Sequence, residues 1–135
     1  MRILLPVLLL LVACGGPQAP LVATAVEVTR PIPGRDMSAG FLVLTNNTGA
    51  ELRITSVTSP QFGLVEIHET TLEDGVARMR EVPVLVVPAR GSVTLERGVK
   101  HLMLMRAQDL GTSVTLQFFS EDAPVLTVTH TFDAG

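Results

Sequence analysis

The chain has 135 residues, enough for one domain with its own core, and carries a formal net charge of -3 from ten Lys/Arg and thirteen Asp/Glu. No basic run is present, and there is no Trp and no Tyr. Neither a phosphate backbone nor a stacked base would therefore find a matching surface, and nucleic acid is excluded as a partner. Only 17% of the residues are charged, while Val and Thr are abundant and favour strands over helices.

In chain order, Arg2 precedes a largely apolar run from Ile3 to Val12. It is too short to cross a bilayer as a helix and has the form of a signal peptide, assigned to residues 1–13. The run ends in Leu11-Val12-Ala13-Cys14, which resembles the lipobox of bacterial lipoproteins. That resemblance implies that Cys14 is the lipidated first residue of the mature chain, with residues 14–20 as a flexible Gly/Pro-containing tether. Localisation is then the cell envelope or periplasm, on a membrane through the lipid anchor only. Cys14 is the single cysteine, so residues 21–135 can form no internal disulfide and lose no function by thiol oxidation.

From Leu21 onward, short strand patterns alternate with turn residues. The first half gives strands at 23–29, 40–45, 51–58, 63–70 and 76–80. The second half gives 83–87, 92–96, 101–106, 113–119 and 125–131. The cluster Asn46-Asn47-Thr48-Gly49 is a turn. No segment after the signal peptide sustains a 3.6-residue apolar period, so the expected class is all-β, a sandwich or barrel. No internal repeat or second domain is visible.

Four residues carry the chemistry: His68, Met79, His101 and Met103. Asp74-Gly75 is the dipeptide of a two-residue hairpin turn. It pairs Glu73 with Val76, Thr70 with Met79 and His68 with Glu81. His68 and Met79 then share a face as diagonal neighbours about 7 Å apart. His101 and Met103, two residues apart on a strand, share a face at about 6.6 Å, with Leu102 and Leu104 turned to the other side. The sequence thus builds two local His/Met pairs, and the fold has to bring them together. Imidazole is a borderline ligand and thioether a soft, neutral one, a combination suited to Cu(I) rather than to zinc, calcium or magnesium. His130, on the face of Leu126, Val128 and Phe132, reads as a structural histidine. Met105, on the face of His101 and Met103, reads as packing with a spare thioether as the alternative, and Met37 as packing around the site. Glu69, Glu73 and Asp74 read as a solvated hairpin end, with attraction of a cation as the alternative.

The spacing H-x10-M-x21-H-x-M resembles the signature of the periplasmic copper chaperones of the PCu(A)C family. The flanking words His68-Glu69-Thr70-Thr71, Asp74-Gly75-Val76, Met79-Arg80 and His101-Leu102-Met103-Leu104-Met105 match as well, and the likeness runs from about Met37 to the C-terminus. The sequence departs from the common family wording at Leu72 and Ala77, where other members often carry methionine. The resemblance implies a cupredoxin-like Greek-key β-sandwich holding one Cu(I) in a His2Met2 site near the surface. It further implies delivery to the copper-A subunit of cytochrome c oxidase, sometimes with a thioredoxin-like copper protein as partner. Buffering or storage of copper is the alternative reading.

Other classes fit less well. A blue-copper electron carrier needs a thiolate beside its histidines, and Cys14 is committed elsewhere. A copper oxygenase that uses an N-terminal histidine is at odds with Cys14 as first mature residue. The C-x-x-C-H haem word is absent, and no Ser-His-Asp or paired-carboxylate arrangement stands out, so the chain is not expected to be an enzyme.

Lipid chains contribute about 0.8 kcal/mol per buried CH2, so two or more anchor stably where one does not. Cys14→Ser is expected to abolish lipidation and release the domain from the membrane fraction. A Cys14→Ser chain that is cleaved, unlipidated and still pelleted with membranes would refute the lipobox assignment.

Overall fold

The computed structural model describes residues 15–133, so Cys14 and the leader before it lie outside the described residues. Eleven strands and no helix are formed there: β1 Leu21–Val28, β2 Ser38–Asn46, β3 Leu52–Ile54, β4 Ser56–Ser59, β5 Phe62–Glu73, β6 Val76–Glu81, β7 Leu85–Val87, β8 Ser92–Leu95, β9 Lys100–Ala107, β10 Ser113–Ser120 and β11 Ala123–Thr131. The all-β class expected from the Val/Thr-rich alternating sequence is the class that forms. The expected strand over 51–58 is broken in two at Thr55, whose backbone N–H donates to Phe119 O at 2.9 Å and starts a new alignment.

Two long strands change partners along their length, and this folds one sheet into a sandwich. On one edge β5 pairs first with β4 (Val57↔Val65) and then with β6 (His68↔Glu81 to Glu73↔Val76). Its other edge pairs with β9 from Phe62↔Ala107 to Glu69↔Lys100. Likewise β2 pairs with β9 at Ser38–Gly40 and with β8 at Leu42–Thr45, while β1 runs along its other edge. The main sheet therefore has the order β1-β2-β9-β5-β4-β10-β11, and β3 and β7 form a second small sheet. Placing β9 between β2 and β5 is the crossover of a Greek-key, cupredoxin-like sandwich.

The core is aliphatic. Leu44, Leu102, Leu104, Val114 and Phe118 are fully buried, and Leu42, Ile54, Leu95 and Leu116 nearly so. Each such side chain contributes about 1.5–3 kcal/mol relative to exposure. Asn46 ends β2 with its side chain fully buried. Its amide donates to Ala50 O and Val87 O, and its carbonyl oxygen accepts from the N–H and hydroxyl of Thr48. The expected Asn-Asn-Thr-Gly turn is thus an anchored corner, with every polar atom of that buried amide used.

Candidate metal centre

The hairpin between β5 and β6 forms in the register the sequence predicts. Thr70 faces Met79 and His68 faces Glu81. Asp74 and Gly75 both take positive φ, 52° and 77°, as the two central residues of a type I′ turn require. His68 and Met79 are therefore diagonal neighbours on one face.

The second pair is brought up by β9. Leu102 and Leu104 point into the core with no exposed surface, so alternation turns His101 and Met103 to the outer face. The β5–β9 register then sets His68 directly opposite His101 and Glu66 directly opposite Met103. The imidazole centroids of His68 and His101 stand 6.1 Å apart with planes tilted by 59°. All four residues singled out by sequence thus lie on three adjoining strands, β6-β5-β9, facing the same way.

Their environments are graded. His101 is buried, His68 and Met103 are half-buried, and Met79 is 55% exposed on the hairpin. The packing role expected of Met37 does not hold: it lies just ahead of β2 and is 45% exposed. Met105 continues the outer face of β9 opposite Leu64 and is half-buried. His130 sits on β11, opposite Val114 on β10, with its ring edge-on to Phe132 at 6.1 Å. Leu72 and Ala77 face each other near the exposed tip of the hairpin.

Glu66, two residues before His68 on β5 and on the same face, is a residue to which the sequence assigned no role. Its Oε2 lies 2.7 Å from His68 Nε2, while His68 Nδ1 is buried with no hydrogen-bond partner in the protein. Residues two apart on a strand share a face, so the contact was within reach of the sequence; its distance was not. On the far side of the hairpin, Glu73 pairs with Arg78 and Arg80, and Glu69 with Lys100. These partly exposed pairs contribute little to stability.

The His101 imidazole is held below the ordinary histidine range. Burial is the main cause, the charge of His68 adds to it, and a hydrogen bond to the Val99 backbone opposes both. His101 is thereby kept neutral, the form in which imidazole offers a lone pair. Among the described residues no group of three or more His, Cys, Asp or Glu is arranged to hold a metal ion. A soft ion between the two imidazoles would draw its further donors from the methionines.

Residues 19–131 match the family described as "Putative lipoprotein LpqE-like". Among solved structures, the solution structure of CuI-DR1885 from Deinococcus radiodurans is 30% identical, with a TM-score of 0.59 over 89% of this chain and 80% of that one. The copper-bound PCuAC domain from PmoF2 is 17% identical, with a TM-score of 0.68 over 87% and 95%. The apo PCuAC domain from PmoF1 is 18% identical, with a TM-score of 0.66 over 87% and 96%. The last two likenesses bear on fold, and the fold is that of the PCuAC domain. A search of curated proteins returns no match.

The depressed His101 value has a measurable consequence. A histidine whose folded value lies below its unfolded one stabilises the fold above the unfolded value of about 6.5. That stability is lost as pH falls below it, because the unfolded chain then binds the extra proton. In metal-free protein, the stability difference between wild type and His101→Gln is expected to shrink from pH 7.5 to pH 5.5 in urea titrations. A constant difference over that window would show that His101 titrates normally.

Proposed function

This chain belongs to the LpqE-like family and to the PCuAC-type copper chaperones, and on that premise we propose that it binds one Cu(I) and passes it on in the cell envelope. His68, Met79, His101 and Met103 are the ligands in this reading. The observation that carries it is the direct opposition of His68 and His101 across β5 and β9, with Met103 and Met79 on the same outer face. An imidazole bound at about 2 Å places its centroid roughly 3 Å from the ion. Two rings with centroids 6.1 Å apart can therefore share one ion. The buried, unpartnered Nδ1 of His68 is a lone pair in want of a partner, and thioethers select the monovalent ion.

Exposure supports transfer. Ligands that are neutral, soft and partly open to solvent exchange readily with those of a receiver, and Met79 is the most open of the four. The receiver we propose is the copper-A subunit of cytochrome c oxidase, with a thioredoxin-like copper protein as the second partner. The family's lipoprotein description and the lipobox at Cys14 both support an envelope lipoprotein. No catalytic role is proposed.

Met79→Leu and Met103→Leu roughly conserve volume, so each should cost less than about 1.5 kcal/mol of stability. Both should weaken Cu(I) binding in competition titrations against a Cu(I) chelator, and His68→Ala and His101→Ala at least as strongly. Unchanged binding by folded Met79→Leu and Met103→Leu proteins would remove the thioethers from the site. Mixing the Cu(I)-loaded domain with an apo copper-A subunit should transfer copper, whereas retention by the domain would favour buffering.

A further inference from the structure

Glu66 and His68 stand two residues apart on β5, on the same outer face, and both are largely enclosed. Their side chains are 27% and 17% exposed, and Glu66 Oε2 lies 2.7 Å from His68 Nε2. An ionised carboxylate offers only lone pairs, so the ring nitrogen facing it must carry the hydrogen. A neutral imidazole has one N–H, which leaves the lone pair on Nδ1. That atom is buried and meets no donor in the protein.

We infer that Glu66 is the positioning residue of the site: by accepting the Nε2–H of His68 it fixes the tautomer and ring orientation that present Nδ1 to the ion. His68 therefore ligates through Nδ1, and Glu66 does not touch the metal. The inference rests on the Cu(I) reading above and assigns a residue outside the four-residue signature. Neighbouring geometry favours it. Met103 is directly opposite Glu66 and His101 directly opposite His68, so the carboxylate lies along the strand from the imidazole. From there it steers the ring while the cross-strand space is left to the ligands. Glu81, the carboxylate paired with His68 on the neighbouring strand β6, makes no hydrogen bond to the ring.

Nitrogen-detected NMR of the labelled domain reads the tautomer directly. Before loading, His68 should show a protonated Nε2 and an unprotonated Nδ1. On adding Cu(I), the Nδ1 resonance should move and Nε2 should keep its proton. Loss of the Nε2 proton on loading would overturn the assignment, since Glu66 would then have been displaced. In chelator competition, Glu66→Leu should lower Cu(I) affinity by about 10- to 100-fold, the usual effect of losing a partner of a ligating histidine. Glu66→Gln should restore most of it, because the amide oxygen still accepts from Nε2–H. Wild-type affinity in Glu66→Leu would overturn the proposal, and the wild-type spectra decide the tautomer even if that variant folds poorly. Should neither His68 nitrogen respond to Cu(I) and His68→Ala bind normally, the copper site itself is wrong, an outcome distinct from a mistaken tautomer.

Discussion

The candidate site depends on one register, the pairing of β5 with β9. Side chains alternate with a period of two, so a one-residue slip of β9 would carry His101 and Met103 into the core and expel Leu102 and Leu104. Both leucines are fully buried, and expelling each would cost about 1.5–3 kcal/mol. The core therefore holds the register that sets His68 opposite His101. A second, independent constraint acts on the other edge of β5. There the Asp74-Gly75 turn, with both residues at positive φ, fixes β6 so that Met79 lies diagonal to His68. One register is held by packing and the other by a turn, and they converge on a single histidine.

That convergence decides the electrostatics. Two imidazoles facing each other across a strand pair, one of them buried, disfavour protonation of His101 and preserve its lone pair. On the copper reading, all four ligands are neutral and the ion's charge is left to its surroundings. Burying an uncompensated charge is costly. The carboxylates of Glu66 and Glu81 flank His68 along and across the strand. Negative charge thus stands near the ion without replacing the soft donors that select it. Exposure then separates retention from exchange: the histidines are withdrawn into the sheet surface, while Met79 stands on an exposed hairpin.

Much of this was legible in the sequence because it is local. The Asp-Gly turn dictates a hairpin register without reference to the rest of the chain, and the His101–Met103 face follows from strand alternation. Partnerships between distant segments were not legible. Nothing in the words around His68 and His101 says that β9 inserts between β2 and β5, because that order is set by how the whole core closes. The break at Thr55 has the same origin, since its hydrogen bond goes to Phe119, far along the chain. The exposure of Met37 is of this kind too: a methionine's burial is decided by what packs over it, which its own sequence neighbours do not state. Glu66 is the instructive intermediate. Its position beside His68 follows from a spacing of two residues, yet its function emerges only when the fold encloses both side chains. Enclosure leaves the imidazole one acceptor and one unpartnered nitrogen, and that asymmetry makes this glutamate part of the proposed site.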